Sequence, residues 1–298
     1  MSEIITAIAV TFNPDASLFR RLLLAIRPQV DHVIVVDNTP GGNLLEGLQE
    51  MTAFVELISL GDNLGIARAQ NIGIARAGEL KSDYVLLLDQ DSIPESFMVQ
   101  KLISAINEKK ARGIKVACAG PNYRDARQVD AKPFVRLSGF SLSRYSCSNE
   151  EEIIQVYFII ASGCLIPIDV IESVGGMTEE LFIDYVDIEW GLRAASQGYL
   201  SFGVCSASME HSLGDATIAF GRRQVPLHSP LRHYYAARNA MWLCRRPWLS
   251  MPWRVALIKR VLLQVIFFSL FSPARLRHSS MLLLGILHGL IGRMGKRQ

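Results

Sequence analysis

A chain of 298 residues with 31 Lys and Arg against 28 Asp and Glu carries a net charge of +3, too mild a field to argue for a nucleic-acid partner. Half of its residues are hydrophobic, which suffices to bury a full core. Five cysteines, Cys118, Cys147, Cys164, Cys205 and Cys244, are scattered, odd in number and form no C-x-x-C pair, which argues against a disulfide framework or a structural zinc site.

In chain order, residues 4–10 are a short β-type run ending in Asn13-Pro14, with no basic n-region and apolar h-region. Together with the cysteines, this sets the expectation of a cytoplasmic protein in a reducing compartment. β-rich runs predict strands at Ile4–Val10, Val33–Val36, Val55–Leu60, Tyr84–Leu88 and Lys115–Ala119. Helical periodicity predicts Ala16–Ile26, Leu44–Met51, Ile66–Ala77 and Glu95–Lys110 between them. This alternation is the pattern of a parallel sheet covered by helices.

The first four strands each run into polar residues: Thr11 and Asn13, Asp37 and Asn38, Asp62 and Asn63, Asp89 and Asp91. One such residue is usually a turn former or a helix cap. Four sets in succession point to the ligand crevice that an open parallel sheet builds at the carboxyl ends of its strands.

From Phe134 the pattern becomes irregular β, with a buried strand expected at Val156–Ala161 leading to Ser162-Gly163-Cys164. A helix at Val186–Gln197 and a strand at Tyr199–Val204 follow. Beyond His211 the chain is rich in Arg, His and aromatics as far as Trp253. Two apolar stretches, Val255–Phe271 and Met281–Ile291, close the sequence. The first contains Lys259, Arg260 and Gln264 and the second is too short, so neither reads as a membrane span of ~20 residues. Their basic flanks suggest an interfacial helix, with a domain-packing or dimer helix as the competing reading.

Asp89-Gln90-Asp91 spaces two carboxylates by one residue after an apolar strand. Hard oxygen ligands there suit Mg²⁺ or Mn²⁺ bridging the phosphates of a nucleotide, and a cap plus turn is the plain alternative. Asn63-x-Gly65-x-Ala67-x-Ala69-x-Asn71-x-Gly73 opens a helix with small residues, suiting either a diphosphate at the helix N-terminus or close packing on the sheet. Asp187, at the start of a helix, is a cap or a general base facing the crevice. His228-x-x-x-Arg232-x-Tyr234-Tyr235-x-x-Arg238-Asn239 offers cations and aromatic faces for a diphosphate and a sugar, or is a helix with one solvated face. Neither G-x-G-x-x-G after the first strand nor G-x-x-x-x-G-K-[ST] occurs, which disfavours a dehydrogenase or an ATPase.

The series Val10-Thr11-Phe12-Asn13-Pro14, Val36-Asp37-Asn38, Asn63-Leu64-Gly65, Asp89-Gln90-Asp91, Ser162-Gly163-Cys164 and Asp187-Ile188-Glu189-Trp190 resembles the family 2 glycosyltransferases of the GT-A fold over residues 4–215. Within that family the wording is most like bacterial rhamnosyltransferases that use dTDP-L-rhamnose. The resemblance implies an α/β fold with a single Rossmann-like, mostly parallel sheet and flanking helices. It divides the chain into a catalytic domain at 1–215 and a C-terminal helical extension at 216–298. The nucleotide-sugar half of that domain is about 1–120 and the acceptor half about 121–215.

By resemblance, Thr11, Asn13 and Asp37 hold the nucleoside, Asp89 supports the ribose or the metal, and Asp91 is the direct ligand of Mg²⁺ or Mn²⁺. Asn38, Asn63, Gly65, Asn71, Gln90 and Arg238 complete the candidate donor set. Gly163, Cys164, Glu189 and Trp190 are the candidate acceptor set, and His211 is a second candidate metal ligand. Asp187 matches the catalytic base at the second position of a Glu-Asp pair whose Glu is replaced by Val186. The implied activity is inverting transfer of a sugar to a hydroxyl of a cell-surface polysaccharide or lipid-linked oligosaccharide, at the inner face of a bacterial plasma membrane, by a protein able to form a homo-oligomer. A UDP-hexose or UDP-galactofuranose donor, a nucleotidyltransferase and a non-catalytic sugar-binding protein are the alternatives.

Overall fold

A computed structural model describes residues 3–42, 51, 53–124, 134–211, 216–220 and 223–297. The helix expected at Leu44–Met51 therefore lies almost wholly outside the described residues. The strands of the first half are β1 (Ile5–Thr11), β2 (His32–Asp37), β3 (Val55–Ser59), β4 (Tyr84–Asp89), β5 (Ser92–Pro94) and β6 (Val116–Arg124). The later ones are β7 (Phe134–Ser138), β8 (Ser141–Tyr145), β9 (Ile153–Val156), β10 (Cys164–Pro167), β11 (Leu200–His211), β12 (Ala216–Phe220) and β13 (Arg223–Leu227). The helices are α1 (Ala16–Ile26), α2 (Ile66–Glu79), α3 (Met98–Ala111), α4 (Ile168–Val174) and α5 (Val186–Ser196), then α6 (Pro230–Cys244), α7 (Met251–Phe271) and α8 (Arg275–Ile291).

Nine strands form the central sheet in the order β3-β2-β1-β4-β10-β6-β11-β5, with β9 also paired to β11. β1, β2, β3, β4, β6 and β11 point one way, while β10, β5 and β9 run against them. The sheet is thus mostly parallel, as expected. The connection leaves β1 toward β2 and β3 on one side and returns to β4 on the other, so a topological switch point opens beside the carboxyl end of β1.

Period-2 alternation sends neighbouring strand residues into two cores. Ala7, Ala9, Val33, Val35, Leu86 and Leu88 pack with Phe19, Leu22 and Leu23 of α1 and with Met98, Leu102 and Ile106 of α3. On the opposite face Ile8, Ile34, Val85 and Leu87 meet α2, α4 and α5. Gly73 of α2 lies against Ile8, leaving no room for a Cβ, and Ala67 and Ala69 are fully buried. Part of the small-residue series is therefore close helix-on-sheet packing.

Three expectations need correction. The strand placed at Val156–Ala161 is Ile153–Val156, because only these residues find a partner edge, on β11. The helix placed at Glu95–Lys110 starts at Met98, because Ser92–Pro94 is drawn into pairing with Met209–His211. Cys147 and Cys205 form a disulfide with Cα atoms 5.8 Å apart across a separation of 58 residues. No spacing rule flags it, since Cys205 lies in β11 and Cys147 just past β8, and it removes the cysteine argument for a reducing compartment.

Candidate active site

The rim at the switch point is built from strand ends that the register brings level. Thr11 is opposite Asp37 on β2, and Val10 is opposite Asp89 on β4. Thr11 Oγ1 donates to Asp37 Oδ1 at 3.0 Å, and that oxygen also accepts from the Thr39 amide at 3.1 Å. Both side chains are buried, so this pair forms the floor of the crevice. Asn13 is exposed with φ 46°, and its amide donates to Thr39 Oγ1 at 2.8 Å, tying the exit of β1 to that of β2.

Asn38 and Asn63 brace the entry to α2. Asn38 Oδ1 accepts from the Leu64 amide at 2.7 Å, and its Nδ2 donates to Asn63 Oδ1 at 3.1 Å. Asn63 Oδ1 also accepts from the Gly65 amide at 3.0 Å. Gly65 has φ 89°, and a Cβ there would sit 2.6 Å from the Phe182 ring and 2.7 Å from Phe182 O. That carbonyl accepts from the Ile66 amide at 2.8 Å, so one free amide of the α2 N-terminus is already used by protein.

Gln90 Oε1 accepts from the Phe12 amide at 2.7 Å, which ties the exit of β4 to the exit of β1 and fixes the loop bearing Asp89 and Asp91. Ser92 pairs with His211 across β5 and β11, so the backbone of the candidate histidine lies level with the residue after Asp91. Its side chain is outside the described part. Ser92 Oγ is hydrogen-bonded to Ser162 Oγ, joining this loop to the Ser162-Gly163-Cys164 turn.

Asp187 opens α5, half-buried. Its Oδ1 accepts from the Ile188 amide at 2.8 Å and its Oδ2 from the Ala161 amide at 3.3 Å. Burial, then the negative charges of Asp89 and Asp184, push its pKa from 3.8 up to about 6, and the two amides only partly oppose this. The Ala161 amide donates to Asp187 while the next residue, Ser162, is hydrogen-bonded to Ser92, so Asp187 and the Asp89-Gln90-Asp91 loop meet at one rim although 98 residues separate Asp89 from Asp187. A carboxylate with a pKa near 6 is well matched to proton abstraction near neutral pH.

Several residues expected as ligands have their polar groups engaged within the protein. Arg238 is fully buried, donating to Asn239 Oδ1 at 2.9 Å, to Leu181 O at 2.8 Å, to Glu180 O at 3.2 Å and to Gly295 O at 2.5 Å. It has no surface left for a diphosphate. Asn71 Nδ2 donates to Met177 O at 2.9 Å while its Oδ1 accepts from the Met177 amide at 2.8 Å. Glu189 is buried in an i,i+4 ion pair with Arg193 at 2.8 Å and accepts from Thr178 Oγ1 at 2.9 Å. The buried Trp190 donates from Nε1 to Gly175 O at 2.9 Å. Gly163, at φ 80°, has Pro121 where a Cβ would stand, and Cys164 is buried in β10.

The structure gives residues beside the candidate base a backbone role that motif reading did not assign to them. Phe182, Asp184 and Tyr185 all take left-handed backbone, at φ 64°, 63° and 67°. That costs of order 1–3 kcal/mol each and persists only where the surroundings enforce it. Here Asn239 Nδ2 donates to Leu181, Ile183 and Asp184 carbonyls at 3.0, 2.8 and 2.7 Å. Arg232 pairs with Asp184 at 2.8 Å, and Phe182 stacks on Tyr235 at 5.1 Å. α6, which supplies these groups, is buried nearly all round and has no broad solvated face.

Among the described residues no three His, Cys, Asp or Glu side chains cluster tightly enough to hold a metal by themselves. A cation sharing its shell between one or two carboxylates and phosphate oxygens needs no such cluster.

Residues 6–172 match the family model described as Glycosyl transferase family 2. The chain is 34% identical over 247 residues to a dTDP-rhamnosyl transferase, RfbF, of Shigella flexneri, covering 83% of this chain and 81% of that one. It is 25% identical over 272 residues to an N-acetylglucosaminyl-diphospho-decaprenol L-rhamnosyltransferase of Mycobacterium tuberculosis, covering 81% and 87%. Among solved structures, S. aureus TarS 1-349 in complex with UDP-GlcNAc shares its fold at TM-score 0.64 and 13% identity, over 97% of this chain and 82% of that one. GalNAc-T7 with UDP, GalNAc and Mn²⁺ does so at TM-score 0.59 and 13% identity, over 91% of this chain and 58% of that longer one.

Proposed function

The chain belongs to glycosyl transferase family 2, and from that premise we propose that it is an inverting rhamnosyltransferase. It moves L-rhamnose from dTDP-L-rhamnose to a hydroxyl of a cell-surface polysaccharide or lipid-linked oligosaccharide. Family membership sets aside the nucleotidyltransferase and sugar-binding alternatives. Support for the sugar comes from the two curated relatives, which share the rhamnosyl description at 34% and 25% identity.

The observation that carries the chemistry is Asp187 raised to about 6 beside Asp89. In this reading Asp187 takes the proton of the acceptor hydroxyl as the oxygen attacks the anomeric carbon, and configuration inverts. Asp37, Thr11 and Asn13 position the nucleoside. Asp91, with Asp89 and His211, would hold Mg²⁺ or Mn²⁺, which supplies charge neutralisation to the departing diphosphate. The fit rests on hard oxygen donors at the switch point, where Asp89 ends β4, Asp91 follows two residues later, and the loop is tied to the Asp187 side by the Ser92–Ser162 hydrogen bond. Asn38, Asn63, Gly65 and Gln90 act by shaping the donor crevice, and Gly163 and Cys164 by shaping the acceptor side.

Residues 1–215 form the catalytic part in this reading and 216–298 an extension that makes peripheral contact with the inner face of the plasma membrane. No helix of the described residues is long and apolar enough to cross a membrane. A UDP-sugar donor is the second reading, favoured by the fold shared with UDP-GlcNAc-bound TarS. Incubation with a panel of dTDP- and UDP-sugars and Mn²⁺, reading nucleoside-diphosphate release with and without EDTA, tests both. Release from UDP-hexoses alone refutes the rhamnosyl assignment.

A further inference from the structure

Residues 216–298 contain 14 of the 31 Lys and Arg and none of the 28 Asp and Glu, so this segment carries +14 while residues 1–215 carry −11. The mild net charge of the whole conceals a steep asymmetry. Most of the segment is helix, and α7 and α8 form its outer layer.

Each of the two helices is apolar on both sides. Leu257 and Phe268 of α7 and Leu282 of α8 are buried. Gly285 and Gly289 of α8 lie directly on the Tyr234 and Arg238 carbonyls of α6, so the small-residue face of α8 is already occupied. Away from these contacts, Leu262, Ile266 and Leu270 follow one another at intervals of four along α7, and Leu283, Leu287 and Leu290 form a row on α8. All six are more than half exposed. Of the 19 large apolar residues exposed among the described residues, 13 are on these two helices, where a monomeric soluble surface scatters them singly.

We infer that the outer face of α7 and α8 docks on an anionic membrane surface, its leucine rows entering the acyl boundary while neighbouring Arg and Lys meet lipid phosphates. The inference rests on the peripheral reading of the extension and is independent of the donor sugar. Lys259, Arg260 and Gln264 in mid-helix fit a helix lying in the interface and oppose one that spans. Charge selects the occupant: a second copy would bring two acid-free +14 segments together, whereas anionic lipid complements them.

Flotation of the full chain with phosphatidylcholine vesicles, with and without phosphatidylglycerol, tests this. Expected is at least about tenfold greater recovery with the anionic vesicles, lost on raising the salt. Ile266→Glu combined with Leu287→Glu should lower recovery about tenfold with an unchanged melting midpoint and unchanged nucleoside-diphosphate release from a soluble donor. Should that variant misfold, Arg275→Glu with Arg277→Glu, both at exposed positions, examines the charged half alone. Wild type that stays with the pellet, or variants that float as well as wild type, overturn the inference. So does light scattering that shows a wild-type dimer split by the leucine substitutions. Intact flotation without donor turnover defeats the enzymatic reading only.

Discussion

Replacing Asp187 by Asn separates catalysis from stability, because the burial that tunes the carboxylate also penalises it. Its pKa stands at about 6 against an ordinary 3.8. Folding therefore favours the protonated form over the charged one by about 3 kcal/mol. The sign is that of a raised carboxylate: the associated stability is fully present below about pH 4 and is lost as pH rises through 6. Asn carries no charge but gives up one of the two acceptors used by the Ala161 and Ile188 amides, at about 1 kcal/mol. The net expectation is a gain of about 1–2 kcal/mol at pH 8, a rise of about 2–5 °C in melting midpoint for a chain of this size, and at pH 4 no rise but a loss of up to about 1 kcal/mol from the missing acceptor. Turnover should fall by about 10²–10⁴ with donor affinity nearly intact, and wild-type kcat should climb to a plateau above pH 6. Scanning calorimetry without metal or donor at the two pH values, with steady-state rates, provides the check. An equal melting shift at both pH values refutes the desolvation argument, and near-normal turnover refutes the role as base.

Asn239→Ala leaves the Ile183 and Asp184 carbonyls without their donor, so urea unfolding should show a loss of about 3 kcal/mol and kcat should fall more than donor affinity. A pure stability loss with normal kcat would mean that the strained loop holds itself. Gly65→Ala puts a methyl into the Phe182 carbonyl at φ 89° and should cost about 2–3 kcal/mol in the same assay, where a change under about 0.5 kcal/mol would contradict the close approach. Asp91→Asn should raise the Mn²⁺ concentration for half-maximal rate about 10–100-fold, and unaltered metal dependence removes Asp91 from that role. Cys147→Ser opens the link to Cys205 and should lower unfolding free energy by about 2–4 kcal/mol, a difference that a reducing agent should abolish.

The sheet was legible because its evidence is local. Alternating apolar runs mark β1, β2 and β4 within a residue or so, and parallel topology then sends Thr11, Asp37 and Asp89 to a shared edge. Other features depend on contacts between distant segments. Ser92–Pro94 becomes a strand only because β11 offers an edge, and Cys147 reaches Cys205 only through that same strand. The left-handed Phe182, Asp184 and Tyr185 carry none of the glycine that normally advertises such backbone. Arg238 reads as a donor ligand because a residue type says nothing of burial, and Asn71 because it says nothing of the backbone partners its amide already has. Glu189 was the avoidable case, since its i,i+4 spacing to Arg193 is visible in the sequence and already suggests a helix ion pair.

The position of Asp187 therefore depends on parts of the chain that motif reading assigns to an appendage. The loop preceding α5 is held by Asn71 from α2 at Met177, and by Arg238 and Asn239 from α6 at Glu180 through Asp184. The C-terminal tail adds to this, with the Gly295 amide donating to Glu180 O at 2.8 Å and Lys296 pairing with Asp62 at 3.0 Å. Asp62 immediately precedes the Asn63 turn of the donor crevice, so the tail touches both sides of the candidate site. A helical extension that served only to meet a membrane would not need a buried guanidinium aimed at the loop that leads into α5. α6 holds the strained backbone on one side and receives Gly285 and Gly289 of α8 on the other, so the helix that presents a leucine row outward is one layer removed from the loop before Asp187.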